Sequence, residues 1–213
     1  KGQLVTKYTL AESAARIEIE ILKRTMGKQD HYAAAYGDLN VLTFHANENV
    51  TVEPVFYSSE VHQKIASNLL LFYTTKKRNA SEILKVQDQV TPNKLSVLRQ
   101  MKNLVEPLRE VILSGENLHQ VGEILHENWE LKRSLTDLTS SKEIDKCYLK
   151  ALQAGAIGGK LLGAGGGGFL IFYVEPDKHD SVIKALSSLY HLKFRFDTSG
   201  TRITYYDQST FYD

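Results

Sequence analysis

The sequence of 213 residues is short of the residues that staple or interrupt a chain, with one cysteine and four prolines. A lone Cys147 cannot close an internal disulfide, which excludes a disulfide scaffold and sets a reducing cytoplasm as the expected compartment. Cys147 shares a helical face with Ile144, Tyr148 and Ala151, the setting of a packed thiol rather than a nucleophile. Charge of one sign is lacking too: 26 Lys and Arg stand against 25 Asp and Glu. No global field therefore draws the chain to nucleic acid or to an anionic membrane, and any anion site has to be local. No apolar run has the length of a membrane span, and no signal sequence is recognisable. His119 and His126 stand seven apart without an H-E-x-x-H or a third ligand, which argues against a structural zinc. The initiator methionine is missing as well, and "KGQLVTKYT" runs almost directly into a helix, so an upstream element is expected to be absent from this chain.

What is present is a globular composition, 42% hydrophobic and 24% charged, enough for one large or two small domains. Thr9-Leu10-Ala11-Glu12 has the capping-box pattern and predicts a helix with a stripe of Leu10, Ala14, Ile17 and Ile21, ending near Met26-Gly27. "LNVLTF" (39–44), "VTVEPVFY" (50–57) and "NLLLFYT" (68–74) read as strands, the second an edge or bulged strand because Pro54 removes a ladder donor. Helical patterns follow over 81–89, 93–113 and 118–135, with a kink or break predicted at Pro107. The single tryptophan, Trp129, reads as core. Ser140-Ser141-Lys142-Glu143 is a second capping box, opening a helix to about Ala154. After it come "GGKLL", a glycine loop, "GFLIFYV", a helix over 177–189 and two strands, "LKFRF" and "RITYY". That α-β-β-α-β-β order predicts an α+β domain in which helices cover a sheet.

The glycine loop is Gly163-Ala164-Gly165-Gly166-Gly167-Gly168. It satisfies G-x-G-x-x-G, but the dinucleotide version needs a helix on its far side and here a strand follows. A Walker A loop needs G-K-[ST], whereas Gly168 precedes Phe169-Leu170. A protein kinase would carry H-R-D and D-F-G, and neither occurs. What remains is backbone physics: successive glycines let N–H groups converge on a phosphate or carboxylate with no Cβ in the way. A tight bend or close helix–strand packing would need only one or two glycines, each at a cost of roughly 0.5–1 kcal/mol relative to alanine.

A second constellation is "GKQDHYAAAYG" (27–37). Lys28 and Asp30 would form an acid/base pair at a helix-exit turn, the cation lowering the carboxylate pKa and also meeting a transferring phosphate. The alternative is a solvated turn. Ala33-Ala34-Ala35 favours function, since small residues let backbone or substrate pack closely. Twelve residues before Asp30, Glu18 is either a buried metal ligand or one member of a solvated face with Glu20.

In this order the two motifs resemble the GHMP small-molecule kinases, most closely the sugar-kinase branch acting on heptose 7-phosphate. "IEIEILKRTMGKQDHYAAAYGDLNVLTF", "NLLLFYTTKKRNASEIL" and "AGAIGGKLLGAGGGGFLIFY" carry the likeness, which extends over nearly the whole chain. The resemblance implies an α+β fold, with the remnant of an N-terminal α/β domain over 1–80 and a C-terminal helical and ferredoxin-like domain over 81–213. It implies Asp30 as catalytic base, Lys28 as the group neutralising the transferring phosphoryl, Glu18 as magnesium ligand, and Gly163 to Gly168 as a wall near nucleotide and substrate. The basic run Lys76-Lys77-Arg78 would receive the substrate's own phosphate, with a solvated loop as the alternative. ATP and Mg2+ are the implied cofactors and a sugar phosphate the implied substrate. A homodimer is compatible with this, and neither nucleic acid nor membrane is expected as partner. The family's P-x-G-L-G-S-S-S/A phosphate cradle does not occur in these residues, so about a hundred residues are expected to be missing relative to a complete member. A fucose- or galactose-type kinase and a non-catalytic binding fragment are the competing readings.

Overall fold

The computed structural model describes residues 5–75 and 80–205. The chain divides into two compact units, Lys1–Pro54 with Phe196–Asp213, and Val55–Arg195.

In the first unit, helix α1 spans Lys7–Arg16 and is capped by Thr6, whose extended backbone lets its hydroxyl accept from the Thr9 N–H at 3.1 Å. The cap therefore lies three residues before the expected one. Glu12 is not spent on a capping box, because the Tyr32 hydroxyl donates to it. The buried face also differs from the expected stripe. Ala11 and Ala15 are buried, while Ile17 and Ile21 are 48% and 64% exposed. Tyr32 packs with Ala11, Ala35 and Val50 as a small core. At Ile17 the helix widens into a π-helical turn, Ile17–Ile21, closed by the Leu22 N–H donating to the Ile17 carbonyl at 2.9 Å. It ends there, short of Met26-Gly27. A new helix, α2 (Gln29–Tyr36), occupies the segment expected to be a turn.

Strands β1 (Asn40–Phe44) and β2 (Val50–Pro54) pair antiparallel from Asn40↔Pro54 to Phe44↔Val50. Pro54 ends β2 at the last pair, so the missing donor costs the ladder nothing. The returning segment is not a strand over 202–205; Tyr206, the last residue of the expected "RITYY" strand, lies outside the described residues. Instead Thr201 donates from its N–H and its hydroxyl to the Ala34 carbonyl, both at 3.0 Å, and the Asp38 N–H donates to the Asp197 carbonyl at 2.8 Å. The small alanines of α2 thus receive another stretch of backbone.

The second unit begins with α3 (Ser59–Asn68), a helix beyond those expected from sequence; Ser58 caps it and Val61 and Ile65 bury one face at a four-residue step. Strand β3 (Leu69–Tyr73) follows, then α4 (Ala80–Val90), a 3₁₀ turn over Thr91–Lys94, α5 (Leu95–Asn103) and α6 (Val105–Ser114). The break falls at Leu104 because Pro107 has no N–H for the Asn103 carbonyl and its ring crowds that residue. Helix α7 spans Gln120–Arg133. Helix α8 (Lys142–Gln153) is capped by Ser141 rather than Ser140, whose hydroxyl donates to Asp145 Oδ1 at 2.7 Å.

Strands β4 (Ala156–Leu161) and β5 (Phe169–Val174), helix α9 (His179–Ala185) and strand β6 (Tyr190–Leu192) complete the unit. The last two are shorter than expected. Residues 176–178 form a 3₁₀ turn before α9, and 193–196 of "LKFRF" are not strand. The sheet order is β4-β5-β3-β6, every neighbour antiparallel, which is the ferredoxin-like order. Strand β3 is bonded on both sides in this sheet although it precedes residue 80, so the compact units do not divide there. Leu70, Phe72, Leu161, Leu170, Phe172 and Val174 present the covered face to Trp129, Ile144, Tyr148 and Ala151. Trp129 is core as expected, and Cys147 packs at the edge of the same cluster. Among the described residues no helix is long and apolar enough to cross a membrane.

Candidate functional site

In the first unit the π-helical turn decides what Glu18 can reach. Its Oε2 meets His31 Nε2 at 2.8 Å and its Oε1 accepts from Arg24 Nη1 at 2.5 Å. The hydrogen bond from His31, then the guanidinium of Arg24, hold the Glu18 carboxyl below its ordinary pKa. Glu18 is half-buried, its side chain 28% exposed, while Glu20 is exposed. The His31 side chain is only 7% exposed, and its Nδ1 is buried without a partner among the described residues.

Lys28 and Asp30 do not pair. They stand at the N-cap and second position of α2, and helical neighbours two apart point in different directions. Lys28 Nζ donates to the Glu48 carbonyl at 3.1 Å and lies 3.7 Å from Glu12 Oε1 and 3.5 Å from Glu48 Oε2. With Tyr8, Arg16 and Ile19 these residues line a cleft of about 620 Å³. Asp30 lies at a helix entrance, not a helix exit. Its negative charge there suits the helix dipole, and its carboxylate is exposed with no hydrogen bond or ion pair among the described residues.

In the second unit the glycine loop joins β4 to β5, strand to strand as the sequence required. Its carbonyls are held: Gly163 accepts from Lys132 Nζ, Ala164 from Gln87 Nε2 at 3.3 Å, and Gly168 from the N–H and hydroxyl of Thr74 at 2.9 and 3.0 Å. The Gly166 N–H donates to the carbonyl of the fully buried Thr139 at 2.8 Å. The N–H groups of Gly163, Ala164, Gly165, Gly167 and Gly168 have no partner among the described residues. At Gly165 (φ +116°) a Cβ would come 2.8 Å from the Thr139 carbonyl oxygen, whereas Gly163 (φ +74°) has open space around it. Close helix–strand packing falls instead just upstream, at Gly158, where a Cβ would sit 2.0 Å from the Gly122 carbonyl oxygen of α7.

Residues 101–192, which run from α5 through the glycine loop to β6, match the family model of the GHMP kinases C terminal domain. This segment is a GHMP kinase C-terminal domain. The GHMP fold extends beyond it. The crystal structure of a D-glycero-D-manno-heptose 1-phosphate kinase from Bacteriodes thetaiotaomicron superposes with a TM-score of 0.63 at 26% identity, covering 93% of this chain and 55% of that one. A D-glycero-alpha-D-manno-heptose 7-phosphate kinase of Campylobacter jejuni is 30% identical over 203 residues, 92% of this chain and 59% of that protein. A galactokinase of Pyrococcus furiosus is 26% identical over 85% of this chain and 57% of its own length. The chain thus spans little more than half the length of these GHMP relatives.

Of the residues singled out from sequence, Arg78, with its neighbours Lys76 and Lys77, lies outside the described residues. His31, Arg24, Gln87, Lys132 and Thr139 were not singled out. Their roles depend on contacts between elements distant in sequence, apart from the six-residue step from Glu18 to Arg24, which a π-helical turn creates.

Proposed function

We propose that this chain is part of an ATP-dependent sugar kinase that phosphorylates a sugar hydroxyl, the anomeric O1 of D-glycero-D-manno-heptose 7-phosphate. The N-terminal remnant over 1–80 and the C-terminal domain over 81–213 are the corresponding parts of its family architecture. The observation that carries the reading is the exposed carboxylate of Asp30 in its G-x-x-D segment, which has no hydrogen bond or ion pair among the described residues. A general base has to keep a lone pair open for the substrate hydroxyl, and Asp30 alone of Glu18, Lys28 and Asp30 does so.

In this reading Asp30 accepts the hydroxyl proton as oxygen attacks the γ-phosphate in line. Lys28, anchored by Glu48 and Glu12, offers its ammonium to the transferring group. The glycine-loop N–H groups without a partner among the described residues would serve as donors to an anion. Arg78 binds the substrate's own phosphate. Glu18 offers hard carboxylate oxygens, the donor type magnesium takes, and among the described residues no group of three acidic, histidine or cysteine side chains converges into a cage. Glu18 would hold the ion, which would supply neutralisation of phosphate charge. Arg24 and His31 occupy both Glu18 oxygens and would share or yield one of them.

Support for the sugar class comes from the likeness to a heptose 7-phosphate kinase and a galactokinase. An ADP-release assay on the full-length protein with heptose 7-phosphate, fucose and galactose tests it. Turnover of heptose 7-phosphate, lowered about 10²- to 10⁴-fold by Asp30→Asn, is the expected result. Turnover of fucose or galactose alone would move the assignment to another sugar, and no ADP release from any sugar would remove the kinase reading.

A further inference from the structure

We propose that Gln87 and Lys132 are positioning residues that turn the N–H groups of the glycine loop toward an anion, a role that rests on the phosphate-facing reading of that loop. A trans peptide is planar, with its C=O and N–H pointing in opposite directions. The two carbonyls in question are those of Gly163, held by Lys132 Nζ, and Ala164, held by Gln87 Nε2. The N–H groups of the same two peptides belong to Ala164 and Gly165. Fixing each carbonyl therefore fixes a donor on the far side of the peptide, and neither donor has a partner among the described residues.

Left to themselves these peptides would not hold one orientation, because glycine accepts either sign of φ. The rest of the loop is secured elsewhere. Thr139 takes the Gly166 N–H and Thr74 takes the Gly168 carbonyl, so those contacts fix the second half of the loop and leave the first half to Gln87 and Lys132. The two side chains come from the last turns of different helices, α4 and α7, within the same compact unit. Each spends a side-chain donor on a backbone carbonyl at a strand-to-strand turn, a use that stabilises orientation more than packing. Both act through the loop backbone, which distinguishes them from residues that touch the ligand directly.

The test is a pyrophosphate titration of the isotopically labelled chain, followed by the backbone amide signals of Ala164 and Gly165. In the unaltered chain both signals move. Gln87→Met and Lys132→Met, near in size but unable to donate, should bind pyrophosphate about tenfold more weakly, the cost of one misaligned charge-assisted hydrogen bond. Lys132→Arg, which still donates, should restore the response. Gln87→Met changes no charge, so its loss separates positioning from simple attraction of the anion by Lys132. Should either methionine variant fail to fold, Gln87→Asn and Lys132→Gln, with shorter reach, are read in the same way. Unchanged affinity in the variants while Ala164 and Gly165 still respond would overturn the positioning role and leave the kinase reading standing. Amides that stay still in the unaltered chain would overturn the role and the phosphate-facing loop together.

Discussion

His31 reaches back from α2 to meet Glu18 of the π-helical turn at 2.8 Å, so two segments that the sequence separates by thirteen residues are joined by one charge-assisted contact. The extra residue of a π turn shifts the carboxylate around the helix axis. The same turn brings Arg24, six residues on, to the other carboxylate oxygen.

Breaking this contact should weaken the first unit. His31→Ala removes a nearly buried ring and its bond to Glu18, and should cost about 1–3 kcal/mol. Urea unfolding measures it. A midpoint equal to that of the unaltered chain would mean that the contact contributes nothing.

Lys28 separates stability from chemistry. Its contacts with Glu12 and Glu48 lie at the surface, and Lys28→Ala should change unfolding by less than about 1 kcal/mol. In the full-length kinase assay the same change should lower kcat by about 10²-fold while a thermal melt stays nearly constant. Equal kcat in the two proteins would remove Lys28 from the site.

The glycines of the loop should not respond alike. Gly163→Ala has room for its methyl group and should cost about 1–2 kcal/mol for a left-handed backbone. Gly165→Ala adds an overlap with the Thr139 carbonyl and should cost about 3 kcal/mol or more. Paired denaturant curves decide, and a smaller loss at Gly165 than at Gly163 would contradict the observed packing.

Lys160 on β4 gives a pH signature. Burial pushes its pKa below the ordinary 10.5, and its Nζ donates to Asn128 Oδ1 at 2.5 Å. Between the lowered folded value and the ordinary one, the unfolded chain holds more protons than the folded chain. Stability contributed by this residue therefore rises as pH climbs through that alkaline window. Lys160→Met should flatten the rise, measured as the unfolding midpoint against pH. An identical slope in both proteins would show that the burial is not felt by the ammonium.

Local pattern carried far into this molecule, because most helices and strands are fixed by neighbours close in the chain. A short apolar and aromatic run marked β3, Pro107 broke a helical pattern, and glycines placed a loop between two strands. Local pattern erred where a cap or a face could be satisfied in two ways. Thr6 and Thr9 compete to cap one helix, and Glu12 went to Tyr32 because a buried phenol needs a partner more than an exposed helix end does. The face of α1 followed Ala11, whose small side chain admits the ring of Tyr32.

By itself the sequence determined an α+β chain with a backbone wall of glycine and a G-x-x-D carboxylate, since these depend on residue type and on neighbours within a few positions. Only the tertiary structure decided which charges meet. Lys28 left Asp30 for Glu12 and Glu48, Glu18 turned to His31 and Arg24, and Gln87 and Lys132 took the loop carbonyls. Side-chain partners are chosen by distance in space, and a chain that folds back on itself sets those distances through contacts that spacing along the sequence does not encode.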